Sequence, residues 1–209
     1  MILKAVNLVK SYGKLKVLDG ISLSVKAGES VAICGRSGSG KTTLLHILGT
    51  LEAPDSGALA IGGRTFEPST APLLRNQQIG FIFQAYNLLD DFTTLENVLM
   101  PARIARQSAT RQKGLDLLAL VDLESKADVP AKLLSGGERQ RAAIARALCN
   151  DPDLILADEP SGNLDRINAK KIGELLISLK KSLILVTHDP DLAKLCERQY
   201  VLEEGRLTS

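Results

Sequence analysis

The chain has 209 residues, of which 44% are hydrophobic and 24% charged, with 26 basic against 24 acidic side chains and a net charge of +2. That is enough for one sizeable domain, and a charge so small and dispersed argues against a nucleic-acid partner. With aromatics at 3% and no tryptophan, a stacking platform for single strands is not expected either. No stretch approaches the ~18 apolar residues that a membrane span needs, and the start Met1-Ile-Leu-Lys-Ala lacks the apolar centre of a signal peptide. Cys34, Cys149 and Cys196 form neither a C-x-x-C pair nor a metal spacing, which suits a reducing compartment. Cys34 reads as a small buried hydrophobe.

Residues 2–6 and 17–25 read as strands, the second from the alternation in Ile21-Ser-Leu-Ser-Val25. Residues 29–34 hold the apolar run Val31-Ala-Ile33, a buried strand, and a helix follows over 41–51, ending near Pro54. Further strands are predicted at 57–61 and 79–83. Residues 94–122 read as helical, opened by the capping box Thr93-x-x-Glu96 and carrying apolar Leu115, Leu118 and Val121. A helix over 136–148, a strand at 154–157, a helix over 169–180 and a strand at 183–187 come next. A short helix around 192–196 and a strand near Tyr200–Leu202 close the chain, with Gly205 in the turn after it. Strands alternating with helices imply an α/β fold, a mainly parallel sheet flanked by helices. The continuous apolar runs at 154–157 and 183–186 fit strands buried on both faces. Residues 85–133 lack strands and read as a helical insert into a single domain, dividing a core of 1–84 and 134–209.

Gly35-Arg36-Ser37-Gly38-Ser39-Gly40-Lys41-Thr42 has the form G-x-x-x-x-G-K-[ST], and Thr43 continues it into the helix. Successive backbone N–H groups of such a loop converge on phosphate oxygens at a helix N-terminus. Lys41 can then reach the β and γ phosphates of a nucleoside triphosphate, and the Thr42 hydroxyl can hold Mg²⁺. Leu154-Ile-Leu-Ala-Asp158-Glu159 runs four apolar residues into two acids, as expected of a buried strand delivering carboxylates to its C-terminal end. Asp158 is placed to hold Mg²⁺ through water and Glu159 to act as general base toward the attacking water. Ser135-Gly136-Gly137 opens a helix. On residue types alone it is either a well-capped helix start or a second anion site.

These motifs, with Gln84 after an apolar strand, Ser161-Gly-Asn-Leu-Asp165 after the acid pair and His188 after a late strand, occur in one order along the whole chain. Together they resemble the nucleotide-binding subunit of an ATP-binding cassette (ABC) transporter. The resemblance implies a P-loop NTPase fold with an N-terminal antiparallel β portion and a helical subdomain. It also implies ATP and Mg²⁺ as ligands and two copies sandwiching two ATPs head to tail. Ser135 and Gly137, with Gly136 between them, would contact the γ-phosphate held by the other copy's Lys41. Gln84 would sense Mg²⁺ and the attacking water, His188 would hydrogen-bond the γ-phosphate, and Asp165 would link the two sites. Tyr12 stands where the family stacks an aromatic on adenine. As a lone tyrosine it reads equally as ordinary packing, and a lone His188 as structural.

Ala157-Asp-Glu-Pro-Ser-Gly-Asn-Leu-Asp165 and Leu88-Leu-Asp-Asp-Phe-Thr-Thr-Leu-Glu-Asn-Val98 resemble the branch of that family that holds lipoprotein-releasing, macrolide-exporting and cell-division proteins, most closely the first. Ser161 stands where the branch more usually has threonine. The implied partners are integral-membrane permease subunits, met by residues 85–100 at the cytoplasmic face of the inner membrane. A regulatory module of a cell-division complex that transports nothing, a macrolide or peptide exporter, and a soluble protein acting on ribosomes or DNA are the rival expectations.

Overall fold

The computed structural model describes residues 1–162 and 164–208. In chain order its elements are β1 (Leu3–Tyr12), β2 (Leu15–Val25), β3 (Ser30–Cys34), α1 (Lys41–Leu48), β4 (Ser56–Ile61), β5 (Arg64–Thr65), α2 (Ala71–Gln78), β6 (Ile79–Ile82) and α3 (Thr94–Ile104). They continue with α4 (Arg111–Ala119), α5 (Gly136–Ala147), β7 (Leu154–Asp158), α6 (Arg166–Ser178), β8 (Ser182–Val186), α7 (Pro190–Ala193), β9 (Arg198–Glu203) and β10 (Arg206–Thr208).

Two sheets result. β2-β1-β4-β5 is antiparallel throughout, and β10-β9-β3-β8-β7-β6 is parallel except for its β10 edge. Because side chains alternate across a strand, the parallel sheet feeds two cores. Val31, Ile33, Leu154, Leu156, Ile184 and Val186 point to α1 and to the inner face of the antiparallel sheet. Ala32, Ile155, Ala157, Leu183 and Leu185 point the other way, into a cluster shared with Leu95, Val98 and Leu99 of α3, Leu118 of α4, Ile144 of α5 and Ile172 of α6. The helices of 85–133 therefore complete the core on one face of the sheet.

The structure departs from the sequence reading in several places. β1 and β2 form a long hairpin that extends to Tyr12 and resumes at Leu15. The helix expected over 94–122 is two helices: α3 stops before Arg106, whose φ of +55° turns the chain out of the helix. The helix expected from 169 starts at Arg166, because Asp165 caps it. α2, β5 and β10 form where residue pattern alone predicts no element.

The capping box of α3 forms as read: the Glu96 backbone N–H donates to Thr93 Oγ1 at 3.1 Å, and the Thr93 N–H donates to Glu96 Oε2 at 2.9 Å. Thr93→Ala is expected to cost ~1 kcal/mol, a fall of about 3 °C in Tm by calorimetry for a chain of this size, with nucleotide affinity unchanged.

Candidate active site

β3 ends at Cys34, and the chain turns through Gly35–Gly40 into α1. The turn is possible because Gly38 and Gly40 adopt φ of +79° and +97°, a region closed to most side chains. A Cβ on Gly40 would also lie 2.7 Å from Val17 Cγ1. The loop borders a cleft of ≈ 590 Å³ lined by Gly35, Arg36, Ser37, Gly38, Gly40, Lys41, Thr42 and Thr43, together with Val17, Gln84, Asp158, Glu159 and His188. Parallel-sheet topology explains the gathering: β3, β6, β7 and β8 all end on the same edge, the edge where open α/β sheets bind ligands.

Lys41 is buried, and its ammonium donates to the Gly35 and Arg36 carbonyls at 2.9 and 3.0 Å, across the mouth of the loop. Ser39 Oγ is buried without a partner among the described residues. Asp158, at the end of β7, accepts from Thr42 Oγ1 through Oδ2 at 3.0 Å, while its Oδ1 is buried and unpartnered. Burial pushes the Asp158 carboxyl above its ordinary range, the Thr42 hydrogen bond opposes this, and neighbouring Glu159 adds to it. A hard dication is the natural complement of an aspartate oxygen and a threonine hydroxyl held this way.

Glu159 leaves the strand with φ of +44°, a conformation that costs a non-glycine residue ~1 kcal/mol. Its N–H still completes the sheet by donating to the Val186 carbonyl at 2.9 Å. Its Oε2 lies 2.9 Å from His188 Nδ1 and accepts the His188 backbone N–H at 3.3 Å. Glu159 is largely covered and His188 exposed. Gln84 follows β6, and a Cβ on Gly162 would come within 3.1 Å of its Nε2, so its amide lies against the loop after Glu159.

The remaining sequence candidates lie outside this cleft lining. Ser135 caps α5: Glu138 N–H donates to its Oγ at 3.3 Å, and its own N–H donates to Glu138 Oε2 at 2.8 Å. Gly136 faces the Tyr86 hydroxyl, 3.3 Å from where a Cβ would sit. Gly137 has no positive φ, and a Cβ there would meet Arg141 and Leu164 only at 3.8 and 4.0 Å, ordinary contact. The fold itself has no need of glycine at 137. Asp165 Oδ1 accepts from the Ile167 and Asn168 N–H groups, each at 3.0 Å, and the Asn168 bonds hold its carboxyl below the ordinary range. Asn163 of the same motif lies outside the described residues. Tyr12, at the end of β1, is 47% exposed and interacts with Thr43 of the cleft, and its hydroxyl donates to Glu52. Val17, Glu52 and Tyr86 carry no sequence signal; each enters through a tertiary contact.

A cleft that joins a glycine cradle and its lysine to paired carboxylates on an adjacent strand is that of a P-loop nucleoside triphosphatase. The family model described as "ABC transporter" matches residues 18–162, and the chain belongs to that family as its ATP-hydrolysing cassette. It is 53% identical over 219 residues to the "Lipoprotein-releasing system ATP-binding protein LolD" of Protochlamydia amoebophila, covering 99% of this chain and 96% of the relative. It is 46% identical over 213 residues to the protein of the same name from Cytophaga hutchinsonii, covering 98% and 97%. Among solved structures, the ATP-binding cassette MJ0796, a dimer bound to ADP and Pi, matches with a TM-score of 0.91 at 37% identity, covering 99% of this chain and 97% of that one.

Proposed function

We propose that this chain is the ATPase subunit of a lipoprotein-releasing membrane complex, acting at the cytoplasmic face of the inner membrane as two copies that close around ATP. The observation that carries the ATPase reading is the division of the site: one cleft gathers Lys41, Thr42, Gln84, Asp158, Glu159 and His188, while Ser135–Gly137 lies outside it at a helix N-terminus whose glycine the fold does not require. The identity to lipoprotein-releasing relatives supports the choice of cargo.

On ATP entry, Lys41 exchanges its two loop carbonyls for β- and γ-phosphate oxygens. Thr42 Oγ1 and the unpartnered Asp158 Oδ1, with Gln84 beside them, are the groups that would hold Mg²⁺, which neutralises charge on the phosphates. Glu159 takes the proton of the attacking water, and His188, fixed against Glu159 Oε2, hydrogen-bonds the γ-phosphate. Tyr12 stacks on the base. Ser135, Gly136 and Gly137 of the second copy close over the γ-phosphate, and Asp165 connects the two sites.

Residues 85–133 act as the helical subdomain of a single 209-residue domain. A second groove of ≈ 1000 Å³ between α2, β6, α3 and α5, lined by Leu73, Phe81, Phe83, Leu89 and Ile104 among others, offers the membrane partner an apolar seat. No helix among the described residues is long and apolar enough to cross a membrane, so the spans come from that partner. Affinity purification of the tagged chain from detergent-solubilised native membranes tests the assignment. Co-purification of a permease with a large extracytoplasmic domain is expected; reproducible recovery of division or ribosomal proteins alone would contradict it.

The Asp158 carboxyl carries a further prediction. Its pKa is raised in the folded state, so protonation favours folding, and stability is lost as pH rises through the folded value. At neutral pH the buried charge is a cost. Asp158→Asn is therefore expected to raise the Tm of the nucleotide-free chain at pH 7, to lose that advantage below pH ~4, where the wild-type carboxyl is itself neutral, and to weaken Mg²⁺-dependent hydrolysis. A lower Tm at pH 7 would contradict the reading.

A further inference from the structure

The loop after α1 is fastened to the end of β1 by a compact polar cluster. Glu52 accepts the Tyr12 hydroxyl on both oxygens, at 2.8 and 2.7 Å. The Lys10 ammonium pairs with Glu52 at 2.9 Å and with Asp55 at 3.5 Å, and donates to the Ala53 carbonyl at 2.9 Å. The Ser11 N–H donates to Asp55 Oδ2 at 2.7 Å, and the Asp55 N–H to the Val9 carbonyl at 2.9 Å. Lys10 also lies over the Tyr12 ring, 5.5 Å from its centroid. One face of the ring is thus covered by a cation, its hydroxyl is fixed, and the ring remains 47% exposed.

The two ends of this cluster belong to different parts of the fold. Tyr12 is on the antiparallel sheet, whereas Glu52 follows directly from α1, the Leu51 and Glu52 N–H groups both donating to the His46 carbonyl. α1 begins at Lys41 and ends at Leu48, so one helix and the short loop hydrogen-bonded to its last turn link the phosphate-binding lysine to the anchor of the tyrosine. A nucleotide held at its phosphates by the loop has a bounded reach to its base, and a platform that drifted relative to Lys41 would lose ring overlap.

We propose that Glu52, held by Lys10, is a positioning residue for the nucleotide base: it fixes the Tyr12 ring at a set distance and tilt from the phosphate loop. The inference rests on the reading of Tyr12 as the base platform. Glu52 touches no substrate and acts through the ring alone, so its removal weakens recognition of the base and leaves recognition of the phosphates intact.

Calorimetric titration of the full chain with ADP, and with inorganic triphosphate as a base-free probe, tests this. Tyr12→Ala is expected to weaken ADP about tenfold, the scale of one lost stacking contact. Glu52→Ala and Tyr12→Phe, which remove the anchor from either side, are each expected to weaken it about fivefold. The double variant Tyr12→Phe/Glu52→Ala should lose less than the two single losses combined, since both substitutions remove the Tyr12–Glu52 bond. Triphosphate affinity should stay at the wild-type value in all four. If Tyr12→Ala weakens ADP while Glu52→Ala and Tyr12→Phe bind normally, the anchoring role is wrong and the base platform stands. If Tyr12→Ala binds ADP normally, the platform itself is wrong. If Glu52→Ala weakens triphosphate as much as ADP, Glu52 supports α1 rather than the ring, and the proposal fails.

Discussion

Glu159→Gln is expected to lower ATP turnover by about 10²–10⁴-fold, the usual contribution of a positioned general base, while ATP binding by calorimetry stays within a factor of about two. The substitution keeps side-chain length and an oxygen able to accept the His188 N–H, now at 3.3 Å, so the local geometry has no reason to collapse. What disappears is the capacity to take a proton. The positive φ at 159 is shared by both side chains and cancels from the comparison. Lys41, the phosphate loop and Asp158 remain in place, so affinity should not fall with the rate. Turnover at the wild-type level would remove Glu159 from the role of base.

Gly137→Asp is expected to reduce hydrolysis by at least about a hundredfold, the scale of losing a preorganised donor set at a developing charge, without disturbing the fold. The nearest atoms to a new Cβ are 3.8 Å away, and the backbone there is helical. An aspartate in the first turn of a helix even favours the helix dipole, by about 0.5 kcal/mol. On the proposed two-copy arrangement, its charge would occupy the place of the γ-phosphate held by the other copy. Tm by calorimetry should be equal to or above wild type, and ADP affinity of the single chain should be unchanged. A folded variant with normal turnover would show that α5 opens toward nothing in the reaction.

How far the sequence discloses this site depends on which contacts are local. Gly35–Thr42 is legible because the backbone curl and the lysine both belong to one short segment. Asp158 and Glu159 are legible because the run ending in two acids follows a phosphate loop; alone it reads equally as a solvated acidic turn. The break between α3 and α4 is not, since Leu115, Leu118 and Val121 keep a helical period and nothing in their pattern marks the left-handed turn at Arg106. The second half of α2 is entirely polar and only Ala71 and Leu74 are buried, so it gives little periodic signal. Glu52 meets Tyr12 across 40 positions of the chain and Tyr86 meets Gly136 across about 50, contacts that exist only once the elements have packed. The separation of Ser135–Gly137 from the cleft is legible only through the family resemblance; on residue types alone a capped helix would have sufficed, and the capping box is indeed formed.

The central claim is that two copies complete each other's sites. Light scattering of the Glu159→Gln chain, with and without saturating ATP and Mg²⁺, tests it most directly when repeated with Gly137→Asp added. The account predicts that ATP doubles the mass of Glu159→Gln and that the added Gly137→Asp keeps the chain a monomer although each copy still binds ATP. A Glu159→Gln chain that stays monomeric with ATP bound, or a dimer that persists with Asp at 137, would contradict it.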